Sequence, residues 1–197
     1  MVAPDNMVLV RQELIATGHL QGGDAKEHPG TLYMQAARHF NIERDKVENI
    51  LPCTPFQLDV MDSASKDKRR AIGHVVYEIP NNVDVERLAA AWKQAVRQTP
   101  ALRARIFTSD SGDHLQVILP ESFTWVFLTN PDLNDAVVEE ETAAAVDGAQ
   151  CNRYAVLQDP KREQALLIWT FSHALVDTTF QESILGKVLT TYDGNNP

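Results

Sequence analysis

The clearest hydrophobic periodicities lie between residues 72 and 189. Ile72 to Ile79 is rich in β-branched residues and stops at Pro80-Asn81-Asn82, which predicts a strand running into a turn. Asp84 stands where a helix cap belongs. Behind it Leu88, Trp92, Ala95 and Val96 recur at helical spacing, with Glu86, Arg87, Lys93 and Arg97 mostly on other faces, the clearest amphipathic helix in the chain. Leu102 to Phe107 and Leu115 to Leu119 flank Ser109-Asp110-Ser111-Gly112-Asp113, whose turn residues predict a hairpin. A short strand follows at Trp125 to Leu128. Asp132 or Asn134 can cap a helix through about Ala145, with Glu139, Glu140 and Glu141 as its solvated face. Tyr154 to Leu157 and Gln164 to Phe171, separated by Asp159-Pro160-Lys161-Arg162, predict a second hairpin. Phe180, Ile184, Leu185, Val188 and Leu189 make a last helix that ends near Tyr192-Asp193-Gly194.

Upstream the pattern is weaker. Val8 to Ile15 suits a short helix, Gly18 to Gly30 is glycine-rich, Thr31 to Phe40 has helix formers, and Ile42 to Val47 continues after a turn. Gly22-Gly23-Asp24-Ala25 has the outline of a phosphopantetheine attachment site. Ala25 lacks the hydroxyl that would carry the phosphate, so a glycine turn is the reading. Residues 1–49 are therefore a linker or packed-on extension, and the compact domain begins near Ile50. Its start is marked by Leu51-Pro52-Cys53-Thr54-Pro55, after which Phe56 to Met61 opens a helix. The order of elements is α/β with a mixed sheet, without the regular alternation of a doubly wound fold.

The 197 residues and their 44% hydrophobic content suit one globular domain. A net charge of -9 argues against binding nucleic acid, since phosphate contacts need clustered cations. The short basic run Lys66, Lys68, Arg69 and Arg70 alternates with Asp67 and reads as a solvated loop. Cys53 and Cys151 have no paired spacing, and no apolar run is long enough for a membrane span, so a cytoplasmic protein is expected.

Candidate chemistry sits at Phe171-Ser172-His173-Ala174-Leu175-Val176-Asp177, which follows the nearly unbroken apolar run Ala165 to Phe171 expected of a buried central strand. Ser172 and His173 are adjacent on extended backbone and point apart, and no Gly-x-Ser-x-Gly elbow exists, which argues against a serine nucleophile. His173 with Asp177 is the better pair, because an imidazole titrates near neutrality and can take a proton from an attacking amine or hydroxyl.

The same stretch resembles the His-His-x-x-x-Asp-Gly signature of nonribosomal peptide synthetase condensation domains, relatives of chloramphenicol acetyltransferase. Pro52-Cys53-Thr54-Pro55-Phe56-Gln57 resembles the opening motif of that family in its fungal form. Thr99-Pro100-Ala101-Leu102-Arg103-Ala104-Arg105-Ile106 resembles the second motif, and Tyr192-Asp193-Gly194 closes the region. The family fold has two similar lobes, each a mixed, mostly antiparallel sheet flanked by helices, with a tunnel between them. The motifs present belong to the first lobe, so the resemblance implies that residues 50–197 are an N-terminal lobe.

The resemblance further implies acyl transfer from a carrier-bound thioester to an amine or hydroxyl, with macrocyclisation as a special case. The phosphopantetheine arm comes from partner carrier domains, no cofactor is bound directly, and the C-terminal lobe is the other partner. His173 matches the catalytic histidine. Asp177 matches the motif aspartate, whose family role is structural, through an ion pair for which Arg103 is the candidate. Two positions depart from the motif. Ser172 replaces its first histidine, as in fungal domains that include terminal cyclising ones, and Thr178 replaces its glycine, where a β-branched residue resists a positive φ. Two other functions fit the same residues: a non-catalytic lobe that docks carrier proteins, and a lobe of a free-standing coenzyme A acyltransferase.

Overall fold

A computed structural model describes residues 29–66, 71–120, 123–129, 132–144, 152–158 and 165–194. The proposed helix at Val8 to Ile15, residues 18–28 of the glycine-rich stretch with its Gly22-Gly23, Cys151 and all of the basic run but Lys66 lie outside them. Lys66 itself ends a helix.

Among the described residues the strands form two sheets. The larger has four strands, β2 (Ile72–Ile79), β5 (Trp125–Thr129), β6 (Asn152–Gln158) and β7 (Ala165–Ser172), in the order β2-β7-β6-β5. All its pairs are antiparallel except β5 with β6, which are joined through a helix (Leu133–Ala144). The smaller sheet is an antiparallel β1-β4-β3, formed by Asn49–Pro52, His114–Ile118 and Ala104–Thr108. This mixed, mainly antiparallel α/β arrangement is the fold class that the sequence pattern predicts.

Helices α1 (Pro29–Phe40), α2 (Pro55–Lys66), α3 (Val85–Gln98), α4 (Leu133–Ala144) and α5 (Thr178–Tyr192) complete the fold. The β7 run is apolar because both faces of its sheet are covered. Leu167, Trp169 and Phe171 join α3 and α5 in the main core around Trp92, Val96, Ile184 and Val188. Leu166 and Ile168 face Ala136 of α4 on the opposite side. Asp84 caps α3, its carboxylate accepting from the Arg87 N–H at 3.0 Å. The far end of α5 is tied to that cap. Tyr192 Oη accepts from the Asp84 N–H at 3.0 Å, and the Arg87 guanidinium lies 4.8 Å from the Tyr192 ring centroid. No described helix is long and apolar enough to cross a membrane.

Several boundaries differ from expectation for local reasons. Leu102 belongs to a 3-10 turn, Pro100–Arg103, that Pro100 opens, so β3 starts only at Ala104. The helix-like stretch after Phe40 is reduced to a 3-10 turn at Arg44–Lys46, because Asn41 breaks the helix at a φ of 52°. Asn49–Pro52 is a strand where only a boundary was expected. The three glutamates of α4 are not one solvated face. Consecutive helix residues fan around the axis, which leaves Glu139 exposed and turns the next two toward the sheet. There buried Glu140 accepts from Arg153 Nε at 2.8 Å, and Glu141 lies 2.7 Å from His74 Nδ1.

Within residues 1–49, α1 is lodged on the small sheet. Leu32, Ala36 and Ala37 pack with Phe107, Leu115, Val117 and Leu119. Gln35 Oε1 accepts from Asp110 N at 2.9 Å, fixing the β3–β4 turn, in which Gly112 takes a φ of +90°.

Candidate active site at the end of the central strand

The three motif stretches each solve a local folding problem. In the first, Thr54 and Gln57 form a reciprocal cap with Pro55 opening α2. Thr54 Oγ1 accepts from Gln57 N at 3.3 Å, and Gln57 Oε1 accepts from Thr54 N at 2.8 Å. The same Gln57 oxygen accepts from Gln116 Nε2 of β4 at 2.8 Å, so the cap also docks α2 on the small sheet. Burial pushes the neighbouring Cys53 thiol up to about 11, which keeps it protonated at neutral pH.

In the second motif, Arg103 Nη1 donates to a Glu48 carboxylate oxygen and to the Leu119 carbonyl. Leu102 is buried, and its carbonyl accepts from Asn152 Nδ2 at 3.0 Å. Asn152 Oδ1 in turn accepts from Trp169 Nε1 at 3.0 Å. This buried chain ties the second motif to the central strand, and nothing in the sequence pattern singled out Asn152 or Glu48. A polar residue opening the strand that carries the apolar run Tyr154 to Leu157 was the available signal for Asn152.

In the third, β7 ends at Ser172 and the chain turns back at once. The Ser172 carbonyl accepts from Leu175 N at 2.9 Å and Val176 N at 3.0 Å, while its buried hydroxyl accepts from Ala174 N at 3.3 Å. Ser172 therefore serves the turn, in keeping with a side chain directed away from His173. The His173 N–H donates to the Ala71 carbonyl at 2.7 Å, and its ring is exposed. The imidazole is the last of a row of rings: Tyr154 lies 6.1 Å from Trp169, Trp169 5.4 Å from Phe171, and Phe171 meets His173 edge-on at 5.5 Å and 89°.

Two expectations are corrected here. Asp177 does not pair with Arg103. Its carboxylate accepts from Phe180 N at 2.7 Å and caps α5, and Arg103 is held by Glu48 and Leu119 instead. A residue that precedes a helix by one position finds the helix's unpaired N–H groups closer than any distant cation. Thr178 does not need a positive φ either. It is the first residue of α5, outside the set of positive-φ residues, so the motif glycine is not required by this backbone. Ser172, His173, Asp177 and Thr178 thus form one corner, and Arg103 belongs to another.

No established family profile matches the chain. It is 55% identical over 191 residues, 96% of its length, to the PF 1022-synthetase of Rosellinia sp., and 53% identical over 170 residues, 85% of its length, to the bassianolide nonribosomal cyclodepsipeptide synthetase of Beauveria bassiana. It spans 6% and 5% of those relatives' own lengths. Among solved structures, the condensation domain from the monacolin K polyketide synthase MokA superposes with a TM-score of 0.63 at 13% identity, over 77% of this chain and 36% of that one. The chain is therefore similar to a short stretch of these fungal synthetases and carries the fold of part of a condensation domain.

Proposed function

We propose that residues 50–197 are the first lobe of a condensation domain, with residues 1–49 as its extension, and that His173 serves amide or ester bond formation in the intact cytoplasmic synthetase. The observation that carries this reading is the position of His173. It is an exposed imidazole on a tight turn at the end of a fully packed central strand, within the stretch that resembles the condensation signature.

An imidazole held there can take the proton of an acceptor amine or hydroxyl as that group attacks the thioester carbonyl of the donor. The carbon–sulfur bond then breaks, and the phosphopantetheine sulfur leaves as thiolate and is reprotonated to the thiol. The arm arrives on a carrier domain, and the lobe contributes no cofactor of its own. The other wall of the reaction chamber comes from the C-terminal lobe. A cyclodepsipeptide contains both ester and amide bonds, so the name of the Beauveria relative supports hydroxyl as well as amine acceptors, with macrocyclisation among the outcomes.

In the intact synthetase, His173→Ala should lower product formation about a hundredfold or more, the scale of general base catalysis. Turnover at the unsubstituted rate would leave the docking role standing in its place. Residues 1–197 alone, holding one wall of the chamber, should not turn over acyl thioesters.

A further inference from the structure

On the reading of His173 as the reacting imidazole, we propose that Gly73 is its positioning residue, and that the missing side chain of this glycine is the seat of the ring. Gly73 pairs with Phe171 and Ile72 pairs with Ser172, where the β2–β7 ladder ends. The chain then folds back across the end of β2, fixed by the His173 N–H on the Ala71 carbonyl at 2.7 Å. The imidazole comes to rest on Gly73. A methyl group on that residue would lie 2.6 Å from His173 Nε2, 2.7 Å from its Cε1 and 3.0 Å from Phe171 Cε2. The first two separations are far inside van der Waals contact.

Nothing else about the position calls for glycine. Gly73 has no positive φ, it lies inside a regular ladder, and glycine weakens a strand interior. What the position supplies is room. Gly73 is buried although it lies one position from the end of the ladder, and the ring that lies on it belongs to an exposed residue. With the edge-on Phe171 as second contact, the ring is held from two directions. Any side chain at residue 73 would lift the imidazole from this seat and move the atom that accepts the proton.

The test combines three measurements. In the 197-residue chain, Gly73→Ala, His173→Ala and the double variant form a cycle followed by urea unfolding. The alanine should cost less once the ring is gone, because the methyl then enters the space the ring occupied. In the same chain the imidazole C–H resonances of His173 should shift in Gly73→Ala, as the ring leaves the edge of Phe171. In the intact synthetase Gly73→Ala should reduce kcat about a hundredfold, as for an ångström-scale misplacement, with KM for the carrier-bound donor unchanged.

An equal cost of Gly73→Ala in both backgrounds, or unmoved ring resonances, overturns the seat. Full turnover in Gly73→Ala where His173→Ala has lost it overturns the positioning role. Normal turnover in His173→Ala overturns the catalytic reading on which that role rests, and the unfolding cycle and the resonances still decide the seat.

Discussion

The turn that carries Arg103 and the turn that carries His173 both border the packed strand β7, yet they are held in opposite ways. The first is fixed by bonds to distant parts of the chain, through Glu48, Leu119 and the Asn152–Trp169 chain. The second is fixed almost wholly by its own backbone and by the first turn of α5, with one outside bond at Ala71. A joint of the first kind transmits damage to the whole domain. A corner of the second kind can present an exposed reactive side chain while the fold carries on without that side chain's help.

Substitutions can break this contrast. Asn152→Ala should have the largest effect, about 3 kcal/mol in urea unfolding, because it leaves the buried Trp169 N–H and the Leu102 carbonyl without partners. Arg103→Ala should cost about 2 kcal/mol. Its side chain is 9% exposed but Glu48 is 45% exposed, so the ion pair is partly screened and the lost packing and orphaned Leu119 carbonyl contribute much of the effect. Combined with Asp177→Ala, the two losses should simply add, and a coupling well above about 0.5 kcal/mol would restore the pair rejected here.

Smaller effects sharpen the comparison from the other side. Asp177→Ala should cost about 1 kcal/mol, the usual loss for a helix cap. Asp177→Asn should be almost neutral for folding, since asparagine caps as well as aspartate does. Had Asp177 been one half of a buried ion pair, that second substitution would be among the most damaging in the domain, about 3 to 5 kcal/mol. Unfolding curves for the two variants side by side therefore separate a cap from a salt bridge.

Much of the fold was legible because it rests on local chemistry. The spacing of Leu88, Trp92, Ala95 and Val96, the cap at Asp84 and the turn at Gly112 are all written within a few residues of where they act. The end of β7 and its turn were legible for the same reason. Partners at long range were not. Arg103 had several acidic residues to choose from, and Glu48 became its partner only because β1 pairs with β4 and brings residues 48 and 119 to the same corner. Glu140 and Glu141 likewise gained their partners, Arg153 and His74, from strands that the linear pattern could not place beneath α4. Gly73 was hidden for a different reason. A glycine inside a strand reads as a flaw until the ring that occupies its space is known.

The position of β7 also governs the order in which the molecule can be made. It is the last of the described strands and an inner strand of its sheet, and Ile72 waits for a partner, Ser172, that lies a hundred residues later. At ribosomal speeds of about 5–20 residues per second, β2 spends several seconds without the strand that joins it to β6. Closing so long a loop makes the final step slow as well. The nascent chain therefore carries two open sheet edges until residues 165–172 emerge, a window in which chaperone engagement would count most. The ring of His173 can find its place only once that strand has closed the sheet.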